Sequence, residues 1–99
     1  KILQDLLSTE SMLLEQRTKQ LLYQQQMLNS DTEIDMTLGW HMAELDGTNY
    51  YYKEGGGAGF HCEMRIYPKK GLASVIMSNR TSFNSRKILS ELDIRFVEN

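Results

Sequence analysis

The chain is short of cysteine, of proline, of long apolar runs and of any excess of one charge. Its one cysteine, Cys62, excludes an internal disulfide, so a disulfide would need a second chain and the redox compartment stays open. Cys62 stands in an alternating stretch and reads as a small buried hydrophobe. No apolar run approaches the roughly 20 residues that cross a bilayer as a helix. The formal net charge of −2 gives no reason to expect binding to nucleic acid or to an anionic membrane. A secretory signal pattern is missing, and a start at Lys1 reads as an excised piece rather than a natural beginning. With 99 residues there is room for at most one domain with a modest core.

What the chain does have is glycine in one place. Lys53-Glu54-Gly55-Gly56-Gly57-Ala58-Gly59-Phe60 packs four glycines into five residues. Glycine loses the most backbone freedom on ordering and has no side chain to pack, so the run implies that something comes close to that backbone. A lysine leaving the Tyr50-Tyr51-Tyr52 run, followed by glycines and a long hairpin, describes a strand edge offering a cation and bare N–H groups to a ligand.

The rest of the pattern is mixed α+β. Residues 1–28 carry Ile2, Leu3, Leu6 and Leu7, then Leu14, Leu21, Leu22 and Met27, at helical spacing, with Ser8-Thr9-Glu10-Ser11 interrupting; two helical segments are expected. Asn29-Ser30-Asp31-Thr32 reads as a turn. From Ile34 the period becomes two: Ile34, Met36, Leu38, Trp40 and Met42 alternate with polar or small residues, which predicts a half-buried strand. Asp46-Gly47 is a hairpin signal, with Thr48 to Lys53 returning. In the next strand Phe60, Cys62, Met64 and Ile66 alternate with His61, Glu63, Arg65 and Tyr67, one set buried and the other facing solvent or a neighbouring layer. A turn at Pro68-Lys69-Lys70-Gly71 leads to residues 72–78, evenly apolar and so expected to be a central strand covered on both faces. The Ser82-Phe83-Asn84-Ser85 cluster offers N-capping side chains, and Ile88, Leu89, Leu92 and Phe96 form the stripe expected to face the sheet. The expected architecture is an antiparallel sheet of about four strands over 34–79, with helices over 1–28 and 84–97. Such a piece would leave a strand edge exposed to association. The six methionines are expected to fill the core.

Lys53-Glu54-Gly55, with Gly59-Phe60, Ile66-Tyr67-Pro68, Gly71-Leu72 and Val75-Ile76-Met77-Ser78-Asn79 after it and Leu38-Gly39-Trp40 before it, resembles the third-motif region of the serine β-lactamase and penicillin-binding protein family. The likeness is nearest to the class C β-lactamase-like branch and spans roughly the last two thirds of the chain. In that family the motif reads Lys-Thr-Gly, or His-x-Gly in esterase-like and peptidase-like relatives. The resemblance implies a fold in which helices flank this sheet, a serine acyl hydrolase acting on β-lactams, D-amino-acid peptides or esters, no cofactor, and a place outside the cytoplasm. It gives Lys53 a positive charge aimed at the substrate carboxylate and the proton-transfer network. Gly56 would provide a backbone oxyanion-hole donor, and Gly55 and Gly57 would line the substrate.

The departures are chemical. No serine in these 99 residues has a lysine three positions on, and no Tyr-x-Asn is present. The single Ser-x-Asn, Ser82-Phe83-Asn84, follows the third motif instead of preceding it. Without a nucleophile and its base, acylation cannot proceed, so the chain alone is expected to be inert. Glu54 stands where the family has a small residue or threonine, and a carboxylate beside Lys53 would compete for its charge.

Other constellations carry less. Lys53 by itself could be a solvated lysine at a strand end. His61, Cys62 and Glu63, with His41, are metal-ligand types, but neighbours on a strand point to opposite faces, so no metal site is expected. The glycine run lacks the Gly-Lys-Ser/Thr of a phosphate loop. Tyr50, Tyr51 and Tyr52 could stack bases, against the acidic balance of the chain. The alternative to the hydrolase reading is a non-catalytic α+β interaction module that pairs through an exposed strand edge or its N-terminal helices.

Overall fold

The computed structural model describes residues 1–10, 12–28 and 32–98. Two short helices, α1 (Ile2–Leu7) and α2 (Gln16–Leu22), precede four strands, β1 (His41–Leu45), β2 (Thr48–Gly57), β3 (Phe60–Tyr67) and β4 (Leu72–Ser78), and a final helix, α3 (Ser85–Val97). The strands form one antiparallel sheet in the order β1-β2-β3-β4, each the hairpin partner of the next. The expected α+β architecture, with the C-terminal helix on the sheet, is what forms.

Turn chemistry sets the hairpins. Asp46 and Gly47 both take positive φ, 49° and 78°, as a two-residue turn between right-twisted strands requires. Ala58-Gly59 closes the next hairpin, and its tip is held where the Gly59 N–H donates to Thr81 Oγ1 at 2.7 Å. Pro68 opens a single 3₁₀ turn that Gly71 ends in the left-handed region. Asn84 caps α3, its Oδ1 accepting from the Lys87 N–H at 3.1 Å.

Five expectations are corrected. The helices span less of 1–28 than the leucine spacing predicts, and residues 23–28 lie outside them. Residues 34–40 are not a strand: Met36 bridges His41 in isolation, and regular pairing starts only at His41. β4 is an edge strand, not a central one, and Val75 and Met77 are 56% and 79% exposed. On α3 the buried residues are Ser85, Leu89, Asp93 and Val97, so of the expected stripe Leu89 is buried while Leu92 and Phe96 are exposed. None of the six methionines is buried. The Asn29-Ser30-Asp31-Thr32 turn falls largely outside the described residues.

The core sits between one face of the sheet and α3, where Tyr50, Tyr67 and Val97 pack with Ala43, Leu45, Tyr52 and Leu72. The opposite face is covered at one end only. There Tyr23, just past α2, stacks on Tyr51 with ring centroids 4.8 Å apart, and the adjacent Ile66 is buried. Lys19 is buried and donates to the carbonyls of Leu6 and Ser8, capping the end of α1. Burial pushes the Tyr23 hydroxyl up to about 12, with Tyr51 adding to it.

Candidate functional site

The glycine run is not a loop. Gly55, Gly56 and Gly57 belong to β2 and pair with Cys62, His61 and Phe60 of β3. What comes close to their backbone is the chain's own side chains. A Cβ on Gly57 would lie 2.6 Å from the Phe60 ring, one on Gly56 3.1 Å from His61 Nδ1, and one on Gly55 3.3 Å from Cys62 Sγ. The glycines thus let three cross-strand side chains lie flat over β2, which is a packing cause beside any ligand.

On its other side β2 is only half partnered. β1 pairs with Thr48 to Tyr52 and stops, so the outer edge of Lys53 to Gly57 has no strand among the described residues. The expected strand edge with a cation at its start is therefore present. Lys53, Gly55 and Gly57 share a face with Phe60, Cys62, Met64, Val75 and Met77, and this is the uncovered face. A shallow, almost wholly apolar trough of about 290 Å³ runs between Lys53, Gly55, Cys62, Met64, Val75 and Met77. Gly56 lies on the same strand with its opposite face toward His61.

Glu54 does not compete for Lys53. Neighbours on a strand point to opposite faces, and Glu54 turns to the α3 side, where its Oε2 lies 3.4 Å from His61 Nε2. Lys53 is exposed and makes no ion pair among the described residues.

Beneath α3 lies a layer that sequence reasoning missed. The alternation in β3 predicts one buried and one outward set, and the charged set is the more deeply buried: Glu63 is 1% exposed and Arg65 0%. The Arg65 guanidinium binds Glu63 Oε2 through Nε, Ser90 Oγ at 3.1 Å and the Arg86 carbonyl at 2.9 Å. Tyr67 and Ser74 both donate to Asp93 Oδ2, at 2.7 and 2.8 Å, and that oxygen lies 3.7 Å from Arg65 Nη1. The Tyr50 ring covers the guanidinium at 4.6 Å. Burial works against the charge on Arg65, but the bonds to Glu63 and Tyr67 prevail and raise its pKa. Burial also raises the Tyr67 hydroxyl, with Arg65 pulling the other way. Two sequence signals point to this layer once the fold is known. Glu63, Arg65 and Tyr67 alternate on one face, and Ser85, Leu89, Asp93 and Val97 recur every fourth residue on α3.

Ser85, His61 and two glutamates meet at one end of the layer, the residue types of a nucleophile relay. Their geometry is structural. Ser85 is buried and donates to Glu63 Oε1 at 2.9 Å, and His61 approaches it with Nε2 at 3.2 Å, the same nitrogen that faces Glu54. The Ser85 hydroxyl has its acceptor in Glu63 Oε1, and His61 Nε2 lies between Ser85 Oγ and Glu54 Oε2.

No group of three or more metal-ligand side chains converges among the described residues. Comparison of the chain with protein-family models, with curated proteins and with solved structures finds no match in any of them.

Proposed function

We propose that these 99 residues are the C-terminal part of a serine acyl hydrolase similar to penicillin-binding proteins and β-lactamases, in which the second half of β2 is one wall of the acyl-transfer site. The observation that carries the reading is the coincidence of the Lys-x-Gly motif with the one stretch of β2 that has an unpaired outer edge, with Glu54 turned away from Lys53. In this reading Lys53 meets the substrate carboxylate, Gly55 and Gly57 border the substrate, and the Gly56 N–H is one oxyanion donor. Losing one such donor typically costs about 2.7–4 kcal/mol of transition-state stabilisation. The substrates are β-lactams, D-amino-acid peptides or esters, met outside the cytoplasm, and the serine and its lysine come from polypeptide beyond this sequence. The 99 residues alone are inert.

The test is acylation by a fluorescent penicillin and by a fluorophosphonate, read by intact mass, of the chain and of the complete gene product that contains it. The complete product should gain one probe at a serine outside this sequence while the isolated chain gains none. A folded complete product that neither probe acylates overturns the reading, and so does acylation of the chain itself.

A further inference from the structure

β4 is the most exposed invitation on the molecule. Leu72-Ala73-Ser74-Val75-Ile76-Met77-Ser78 has no charge, no proline and no glycine, and it forms the rim of the sheet. Apart from its ladder with β3, its backbone groups have no hydrogen-bond partner among the described residues. Folded proteins blunt such edges with charges, prolines, bulges or a covering segment, because a row of unpaired N–H and C=O groups templates another strand. The opposite rim has that protection along β1, though not along Lys53 to Gly57 of β2. Met42 of β1 donates its N–H to the Asp35 carbonyl at 2.9 Å, Met36 bridges His41, and Glu44 is exposed on the strand.

The side chains of β4 narrow the partner. An antiparallel copy centred on Val75 uses all seven residues and keeps each face of the sheet continuous, because residues opposite one another then share a face. On the uncovered face Val75 meets Val75 of the second copy, and Ala73 meets Met77 in both directions, small against large. On the α3 face Leu72 meets Ser78 and Ser74 meets Ile76. No charge is buried and none opposes its like. Val75 and Met77, at 56% and 79% exposure, are among the most exposed apolar side chains of the sheet, and this pairing gives both an apolar neighbour.

We infer that this 99-residue chain forms a two-fold dimer by antiparallel pairing of β4 with β4 of a second copy, centred on Val75, giving one eight-stranded sheet with both α3 helices on the same side. The contact is isologous, so it closes at two copies instead of growing into a fibre. The inference does not rest on the acyl-hydrolase reading, since it is read from mass and not from acylation.

The experiment is light scattering on a size-exclusion column across a concentration series of the 99-residue chain. A mass approaching twice 11.5 kDa is expected as concentration rises. Val75→Lys, at an exposed position, sets two like charges against each other across the axis and should raise the dissociation constant about tenfold or more, equivalent to about 1.4 kcal/mol. Its far-UV circular dichroism should be unchanged. As a positional check, Val75→Cys in a Cys62→Ser background should give a covalent dimer on mild oxidation, and Glu44→Cys on the protected rim should not. A monomer at every concentration overturns the inference and leaves the edge to a strand of another polypeptide. A dimer indifferent to Val75→Lys, or cross-linked through Glu44→Cys instead, overturns the interface.

Discussion

The buried layer under α3 makes its strongest prediction at Arg65. Two carboxylates, Glu63 and Asp93, and one guanidinium lie out of water, so the layer holds one cation against two anions. Arg65→Met keeps much of the volume and removes the cation, leaving both carboxylates buried without their counter-charge. Ser90 Oγ and the Arg86 carbonyl lose a donor with it. Breaking a buried ion pair from one side typically costs about 3–5 kcal/mol, mostly the desolvation of the abandoned charge. Against the roughly 5–15 kcal/mol that holds a domain of this size together, that is about a fifth of the total or more. Arg65→Lys keeps the charge but not the planar fork that reaches four groups at once, and should fall between wild type and Arg65→Met. The assay is urea unfolding at neutral pH, followed by circular dichroism and by tyrosine fluorescence. With a slope of about 1–3 kcal/mol per molar, the midpoint should drop by at least about 1 M for Arg65→Met, with Arg65→Lys in between. The refuting result is an Arg65→Met loss below about 1 kcal/mol, the size of an exposed pair, which would mean that water reaches Glu63 and Asp93.

Two further outcomes follow from local geometry. Gly59→Ala, at φ +88°, meets open space but a backbone conformation that a Cβ resists, and should cost about 1–2 kcal/mol in the same urea assay; no loss would mean that the Ala58-Gly59 turn changes type without consequence. Stability should also fall at high pH. Tyr23 ionises near 10.0 when unfolded and at about 12 when folded, and burial raises Tyr50, Tyr51 and Tyr67 as well. The unfolded chain therefore sheds these protons first, so the contribution is whole below pH 10 and is lost as pH rises toward 12. Unfolding midpoints from pH 8 to 11.5 should be level and then decline, and Tyr23→Phe should soften the decline.

Local chemistry was legible in the sequence, and for a local reason. Asp46-Gly47, Pro68 with Gly71, and Asn84 fix turns and a cap through their own φ preferences and side-chain bonds, so two of the hairpins and the start of α3 could be read from residue type, while the Ala58-Gly59 turn lay hidden in the glycine run. Hairpins of that kind also dictate the strand order, since each strand must pair with the next. The neighbourhood of Lys53 did not follow: adjacency in sequence makes Glu54 a competitor for its charge, whereas β2 runs on through Gly57 and so puts Lys53 and Glu54 on opposite faces. Which face is buried did not follow. Alternation marks two faces without naming the inner one, and residue type pointed the wrong way. Phe60, Val75 and Met77 stand in the open, while Glu63, Arg65 and Asp93 are buried, because α3 supplies hydrogen-bond partners for that polar set from residues some 20 or more positions away. The same holds for β4, whose apolar run reads as interior until the sheet is assembled and no fifth strand lies beside it among the described residues. Sequence fixes what each segment can pair with; only tertiary structure decides which of those pairings are filled, because burial and hydrogen-bond satisfaction depend on partners distant in the chain.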